Sequence, residues 1–225
     1  MAAIWDHVRD RLDLDAGPLD RSVQPDAYIA EHAPVLMQIC GPMAARSGRV
    51  AVLGAFDFAL PGLAPGDYAS HIVRRTGDAG PIGLVAVNDF QSQSGWGALA
   101  AAGLGDRTVV VTGAHTASMR AVAAGEADAA AIDAVTWRLD PHPRLRVRTT
   151  TPPTPAPPLV TCHPERADAL RAALAEAVAS LSVAIRRRTG LRAFVPRGDA
   201  HYAGMTLPPP PAAAQDRCNR AESAA

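Results

Sequence analysis

No lysine occurs anywhere in the 225-residue chain, so each of its 22 basic side chains is an arginine. Beside abundant alanine, proline and glycine, that absence reflects a GC-rich coding composition and not an arginine-specific role. Acidic side chains also number 22. A formal charge of zero lacks the clustered positive field that phosphate-backbone binding needs, which excludes nucleic acid as the main partner. The one basic run, Arg186-Arg187-Arg188, closes a helical pattern, where cations suit the helix dipole. Cysteine is scarce: Cys40, Cys162 and Cys218 are too few and too scattered for a disulfide framework or a zinc site. An odd count leaves at least one thiol free, which fits a reducing compartment. No run approaches the roughly 18 apolar residues of a membrane span, so no membrane insertion is expected. Phosphate-binding GxxxxGK[ST] loops and metal-ligand clusters are missing too, so neither cofactor nor metal is expected.

What the chain has is apolar bulk, 48% hydrophobic residues, with only 4% aromatics. Residues Ile4–Leu14 form an amphipathic helical pattern with Ile4, Val8 and Leu12 on one face. Ala33–Cys40 is an apolar run, helix or strand, stopped at Gly41-Pro42. Val50–Leu53 and Asp67–Arg74 read as strands. Three strand-like runs follow, Leu84–Val87, Thr108–Val111 and Ala129–Ile132, each ending in a small polar turn. Leu145–Thr149 is a further strand and leads into TPPTPAPP, which must run extended. Pro164–Arg188 reads as one long amphipathic helix ended by Gly190. The Pro-rich tail 207–225 has a disordered composition. The compact block 82–158 is flanked by segments that belong together. This predicts a discontinuous first lobe, 1–81 and 159–206, and a second lobe, 82–158, joined by two crossings with the cleft between them.

Strand, polar turn and helix in repetition place backbone N–H groups and hydroxyls at one end of a sheet, a setting for a small anion. The first candidate is Ser92-Gln93-Ser94-Gly95. Ser94 is the expected N-cap and Gly95 admits close approach, so an anion cradle and a plain helix cap fit equally well. The second is His115, at a helix start between strand and helix, where a lone histidine is more commonly a solvated or core residue. The third is Asp133, which either accepts from a ligand amine or hydroxyl or caps the helix near Val135. Serine, histidine and aspartate together suggest a hydrolase, but the G-x-S-x-G elbow is absent around both Ser92 and Ser94. No enzymatic activity is expected.

VNDFQSQSG, then TGAHTASMRAVAAGEADAAAID, then TTPPTPAPPLVT closely resemble the phosphonate-binding type of ABC-transporter substrate-binding protein. The likeness spans about residues 33–205. It implies an α/β, two-lobed periplasmic-binding-protein-like fold of type II topology with the ligand cleft between lobes that close by a hinge motion. It also implies a monomeric protein that captures a small oxyanion (phosphonate, phosphate or phosphite) and a permease as possible partner. On this resemblance the oxyanion site falls on Ser92, Gln93 and Ser94, the ligand-facing histidine on His115, and Tyr68 of GDYASHIV lines the cleft from the first lobe. The chain departs from the family pattern at Cys40-Gly41-Pro42-Met43, where CGYP is common, so that an aromatic cleft residue is missing, and at Gln93, where a hydroxyl is common. The alternative is a signal-less cytoplasmic sensor or orphan binding protein of the same fold. The start MAAIWDHVRDRLDLDAGPLD is charged from Asp6 onward and has no apolar h-region. As written, the chain is expected to be cytoplasmic, or periplasmic if the true N-terminus lies upstream.

Overall fold

In a computed structural model of the chain, residues 2–12, 17–20 and 23–211 are described. The chain forms two compact units, one of residues 1–68 and 154–206, the other of residues 69–153 and 207–225. It begins with α1 (Ala2–Arg11), which buries Ile4 and Val8 as the amphipathic pattern requires. Asp13–Ala16, at the expected end of that helix, lie outside the described residues. After α2 (Pro25–His32) comes β1 (Met37–Gln38). Gly41-Pro42 then opens a helix, α3 (Gly41–Ser47), where a stop was expected. Proline in a first helical turn gives up only an N–H that has no intrahelical partner. β2 (Ala51–Asp57) is buried along nearly its whole length, and β3 (Asp67–Tyr68) ends the first pass through this unit.

The second unit runs through β4 (Ser70–Arg75), β5 (Leu84–Val87), α4 (Ala98–Ala101), β6 (Thr108–Val111), α5 (His115–Ala124), β7 (Ala129–Asp133), α6 (Ala134–Leu139) and β8 (Leu145–Thr150). Its five-stranded sheet has the order β6-β5-β7-β4-β8. β5 runs parallel to β6 and β7, whereas β4 is antiparallel to β7 and β8. This pairing moves the expected boundary. The turn-rich stretch up to Pro81 that follows β4 suggests a place in the first lobe, but Ile72 and Val73 pair with Ala131 and Ala130 of β7. The crossing therefore falls at residues 68/69, before the strand and not after it. The return crossing likewise falls at 153/154, because β9 (Thr154–Pro155) pairs with β3.

Back in the first unit, β10 (Pro158–Thr161) and β11 (Ala193–Pro196) complete a four-stranded sheet of order β1-β10-β2-β11. The expected single helix over Pro164–Arg188 is three pieces: a 3₁₀ turn Pro164–Arg166, α7 (Ala167–Ala179) and α8 (Val183–Thr189). Ser182 breaks it, since its hydroxyl accepts the Ile185 N–H and starts a new helix. Leu170, Leu174 and Val178 of α7 pack with Ile4, Val8, Leu53 and Phe56 into the main core of this unit. The start of the Pro-rich tail also differs from expectation. Leu207 packs on the second unit's core, and the Trp96 indole N–H donates to the Pro208 carbonyl at 2.8 Å. Residues 212–225 of that tail lie outside the described residues.

Leu174 is fully buried. Leu174→Ala should therefore destabilise the first unit by about 2–5 kcal/mol, the range for a large-to-small core change. Denaturant unfolding followed by circular dichroism measures it. An unchanged midpoint would contradict the packing described.

Candidate functional site

In the second unit, the C-terminal ends of the parallel strands β5, β6 and β7 open at one edge of the sheet. The antiparallel β4 begins there, with Ser70 opposite Asp133. Leaving β5, the chain turns through Asn88-Asp89 and enters a wide helical turn, Gln93–Gly97, that runs on into α4. The Gly97 N–H reaches back to the Ser92 carbonyl at 3.1 Å, one residue further than an α-helix would. Ser92 is the N-cap, not Ser94: the Ser92 hydroxyl accepts the Gly95 N–H at 3.0 Å. Ser94 is thereby released from capping and sits in the first turn, where its hydroxyl lies 2.9 Å from His115 Nε2.

Gly95 is dictated by contact. A Cβ there would collide with Asn88 Oδ1 and would press Ser92 Oγ at 3.2 Å. Asn88 Oδ1 is itself buried without a hydrogen-bond partner. Asn88 was not singled out in the sequence, where an asparagine after a strand reads as ordinary turn chemistry. Gln93 Oε1 lies 3.0 Å from where a Gly97 Cβ would be, so that side chain folds back along its own turn.

His115 opens α5 after Thr112, whose hydroxyl bonds the Val87 carbonyl at 3.0 Å and Ser118 Oγ at 2.7 Å. The ring Nδ1 is 3.1 Å from the Ala131 carbonyl oxygen. Burial holds the imidazole below the usual histidine range, outweighing the Asp133 carboxylate and the Ala131 carbonyl, which favour the cation. Asp133 caps α6, its Oδ1 accepting the Thr136 N–H at 2.8 Å, so the capping alternative is the one the structure shows for that oxygen. Its charge reaches a second histidine, His71 on β4, which burial likewise holds low and whose Nδ1 meets Thr150 Oγ1 at 2.9 Å. His71 was also missed; only the strand register places it next to the site.

Six of the seven expected residues, Ser92, Gln93, Ser94, Gly95, His115 and Asp133, thus belong to the second unit and meet at one end of its sheet. Tyr68 is the seventh. It lies in the first unit, 3% exposed, packed with Ala55 and Ala156. Among the described residues no group of three or more His, Cys, Asp or Glu side chains is arranged to hold a metal ion, and no helix is long and apolar enough to cross a membrane.

The architecture is that of two-lobed α/β substrate-binding proteins. A structure of PhnD1 from Prochlorococcus marinus in complex with methylphosphonate superposes with TM-score 0.68 at 14% identity, covering 89% of this chain and 87% of that one. A binding protein component of an ABC phosphonate transporter from Pseudomonas aeruginosa gives 0.67 at 15% identity, covering 89% and 78%. A Silicibacter pomeroyi periplasmic binding protein of the His/Glu/Gln/Arg/opine family, in complex with lysine, gives 0.60 at 18% identity, covering 86% and 87%. No curated protein matches the chain significantly. Residues 85–202 match the model of one family, described as ABC transporter, phosphonate, periplasmic substrate-binding protein, and the chain belongs to that family.

The depressed His115 predicts a pH dependence of stability. An unfolded histidine titrates near ~6.5. Below that pH the unfolded chain takes up a proton that the folded chain refuses, down to the lower folded value. The contribution is complete above about pH 6.5 and is lost as the pH falls. Wild type should therefore lose more stability than His115→Gln on going from about pH 7 to about pH 5.5. Denaturant midpoints measure this, and parallel profiles would contradict the burial described.

Proposed function

We propose that this chain is a solute-binding protein that captures a small tetrahedral oxyanion (phosphonate, phosphate or phosphite) for an ABC transporter. The observation that carries the reading is the convergence of Ser92, Ser94 and His115, with Ser94 Oγ 2.9 Å from His115 Nε2. A cap needs one serine; the second has been turned to face an imidazole. The amides of Gln93 and Ser94 begin the helix and have no intrahelical carbonyl to bond. Together with the hydroxyls they form a donor set for oxygen that requires no net positive charge, in keeping with the neutral composition. Asp133 supplies a carboxylate beside it for an amine or hydroxyl that the ligand carries. The family is one of periplasmic proteins that serve transporters, and one structural neighbour was solved with methylphosphonate. Another neighbour was solved with lysine, so the fold alone does not select the anion.

A sensor or orphan binding protein of the same fold would use the same cradle without a permease. Inspection of the native locus separates the two roles: permease and ATPase genes beside it would favour transport, and their absence the sensor. The Ser94–His115 contact also resembles a nucleophile and its base. However, the imidazole is oriented by a neutral carbonyl, where a hydrolytic triad has a carboxylate to stabilise the imidazolium. Binding without chemistry therefore accounts better for the geometry, and absence of turnover on phosphonate and carboxylate esters is the expected outcome.

Ser92→Ala and Ser94→Ala should each weaken methylphosphonate or phosphate binding by about 1–3 kcal/mol, the range for a lost hydrogen bond to a charged group. Isothermal calorimetry reads this directly. Unchanged affinity in both variants would remove the cradle assignment.

A further inference from the structure

The Ser94 hydroxyl has one hydrogen, and its neighbours commit it. His115 Nδ1 lies 3.1 Å from the Ala131 carbonyl oxygen, which can only accept. Nδ1 therefore carries the ring hydrogen, and Nε2 presents a lone pair. Ser94 Oγ, 2.9 Å from Nε2, must donate to it. Ser92 Oγ accepts the Gly95 N–H and stands 3.4 Å from Ser94 Oγ, a long contact that leaves its own hydrogen free to turn elsewhere. In this protonation state the three side chains offer a fully ionised oxyanion a single hydrogen, that of Ser92. Ser94 Oγ and His115 Nε2 would meet its oxygens lone pair to lone pair.

One added proton reverses that mismatch. With a hydrogen between Nε2 and a ligand oxygen, the imidazole no longer needs the Ser94 hydrogen, and the Ser94 hydroxyl turns to donate to the ligand. We propose that the cradle takes a tetrahedral oxyanion together with one proton, held between His115 Nε2 and a ligand oxygen. On this basis it selects oxyanions that carry a hydrogen near neutral pH over those that do not. The inference rests on the oxyanion reading of the site and adds the ligand's charge state to it. The proton arrives either on the ligand, as its singly protonated anion, or from water onto Nε2. Both routes end in the same complex, and no bond to the central atom forms or breaks.

The charged surroundings suit this role. At the end of β7, Asp133 favours an added proton on His115. From β4, His71 faces the same carboxylate with its Nδ1 on Thr150 Oγ1. Before the cradle, Asp89 is engaged with the Gln91 N–H at 2.6 Å. Between Phe90 and Gly105 the cradle and α4 contain no charged residue, and the next one along α5, Arg120, is exposed. Among the described residues no arginine makes a hydrogen bond or ion pair with Ser92, Ser94 or His115. Burial keeps His115 neutral beforehand, which leaves the proton to be taken up on binding.

Calorimetry with methylphosphonate at about pH 8, in two phosphate-free buffers of different ionisation enthalpy, counts the protons taken up. Uptake approaching one per ligand is expected in the wild type. The dissociation constant, expressed on total ligand, should weaken toward about tenfold per pH unit once the ligand is dianionic. Sulfate, which stays fully ionised, should not bind where methylphosphonate saturates. His115→Gln, whose amide supplies a hydrogen without a proton, should bind with buffer-independent heat and a flat pH profile. If methylphosphonate binds the wild type with buffer-independent heat and a flat profile, or if sulfate binds as tightly, the proton-linked site is overturned while the oxyanion reading stands. If methylphosphonate, phosphate and phosphite all fail to bind at every pH, both readings fall together.

Discussion

The arrangement of the second unit turns on one hydrogen bond, from the His115 ring to the Ala131 carbonyl. It orients the imidazole, settles which nitrogen carries the hydrogen, and so decides what Ser94 can do with its hydroxyl. A carbonyl in the middle of β7 is well suited to the task, because Ala131 is fully buried and its strand is central in the sheet. The ring is anchored to the central strand of the sheet through Nδ1, while its Nε2 meets Ser94 Oγ.

The sheet's strand directions supply the remaining parts. Three parallel strands end together, so the turns after Val87, Val111 and Ile132 lie side by side, and the antiparallel β4 starts at that same edge. The wide turn at Gln93–Gly97 shifts the capping duty to Ser92 and leaves Ser94 free for His115. Gly95 permits this by letting the backbone close onto Asn88. Behind the turn, Trp96 is buried and fastened to the Pro208 carbonyl, which holds the cradle from the side facing the core.

Much of this was legible in the residues. Leu84–Val87 and Thr108–Val111 are apolar runs closed by polar turns, and the structure forms strands at those bounds. Four cradle residues and His115 were named from the same pattern. What the residues did not show depends on long-range pairing. β4 reads equally well as part of either lobe until its ladder with β7 is known, so a Pro/Gly-rich turn after it looked like the boundary. The choice of Ser92 over Ser94 as cap depends on a single residue of helical register. His71 and Asn88 carry no local signal at all, since a histidine in a strand and an asparagine in a turn are commonplace. Tyr68 was placed by family position, and its burial against Ala55 and Ala156 is a matter of packing that no local pattern reveals. Breaks such as Ser182 within a continuous amphipathic pattern are also invisible to periodicity, because the apolar face carries on across them.

The central claim is the tautomer of His115, and a long-range proton–nitrogen correlation spectrum of the ligand-free protein near neutral pH tests it most directly. The account predicts a protonated, pyrrole-like Nδ1 and an unprotonated, pyridine-like Nε2. An Nε2-protonated ring, or an imidazolium with both nitrogens protonated, would contradict it.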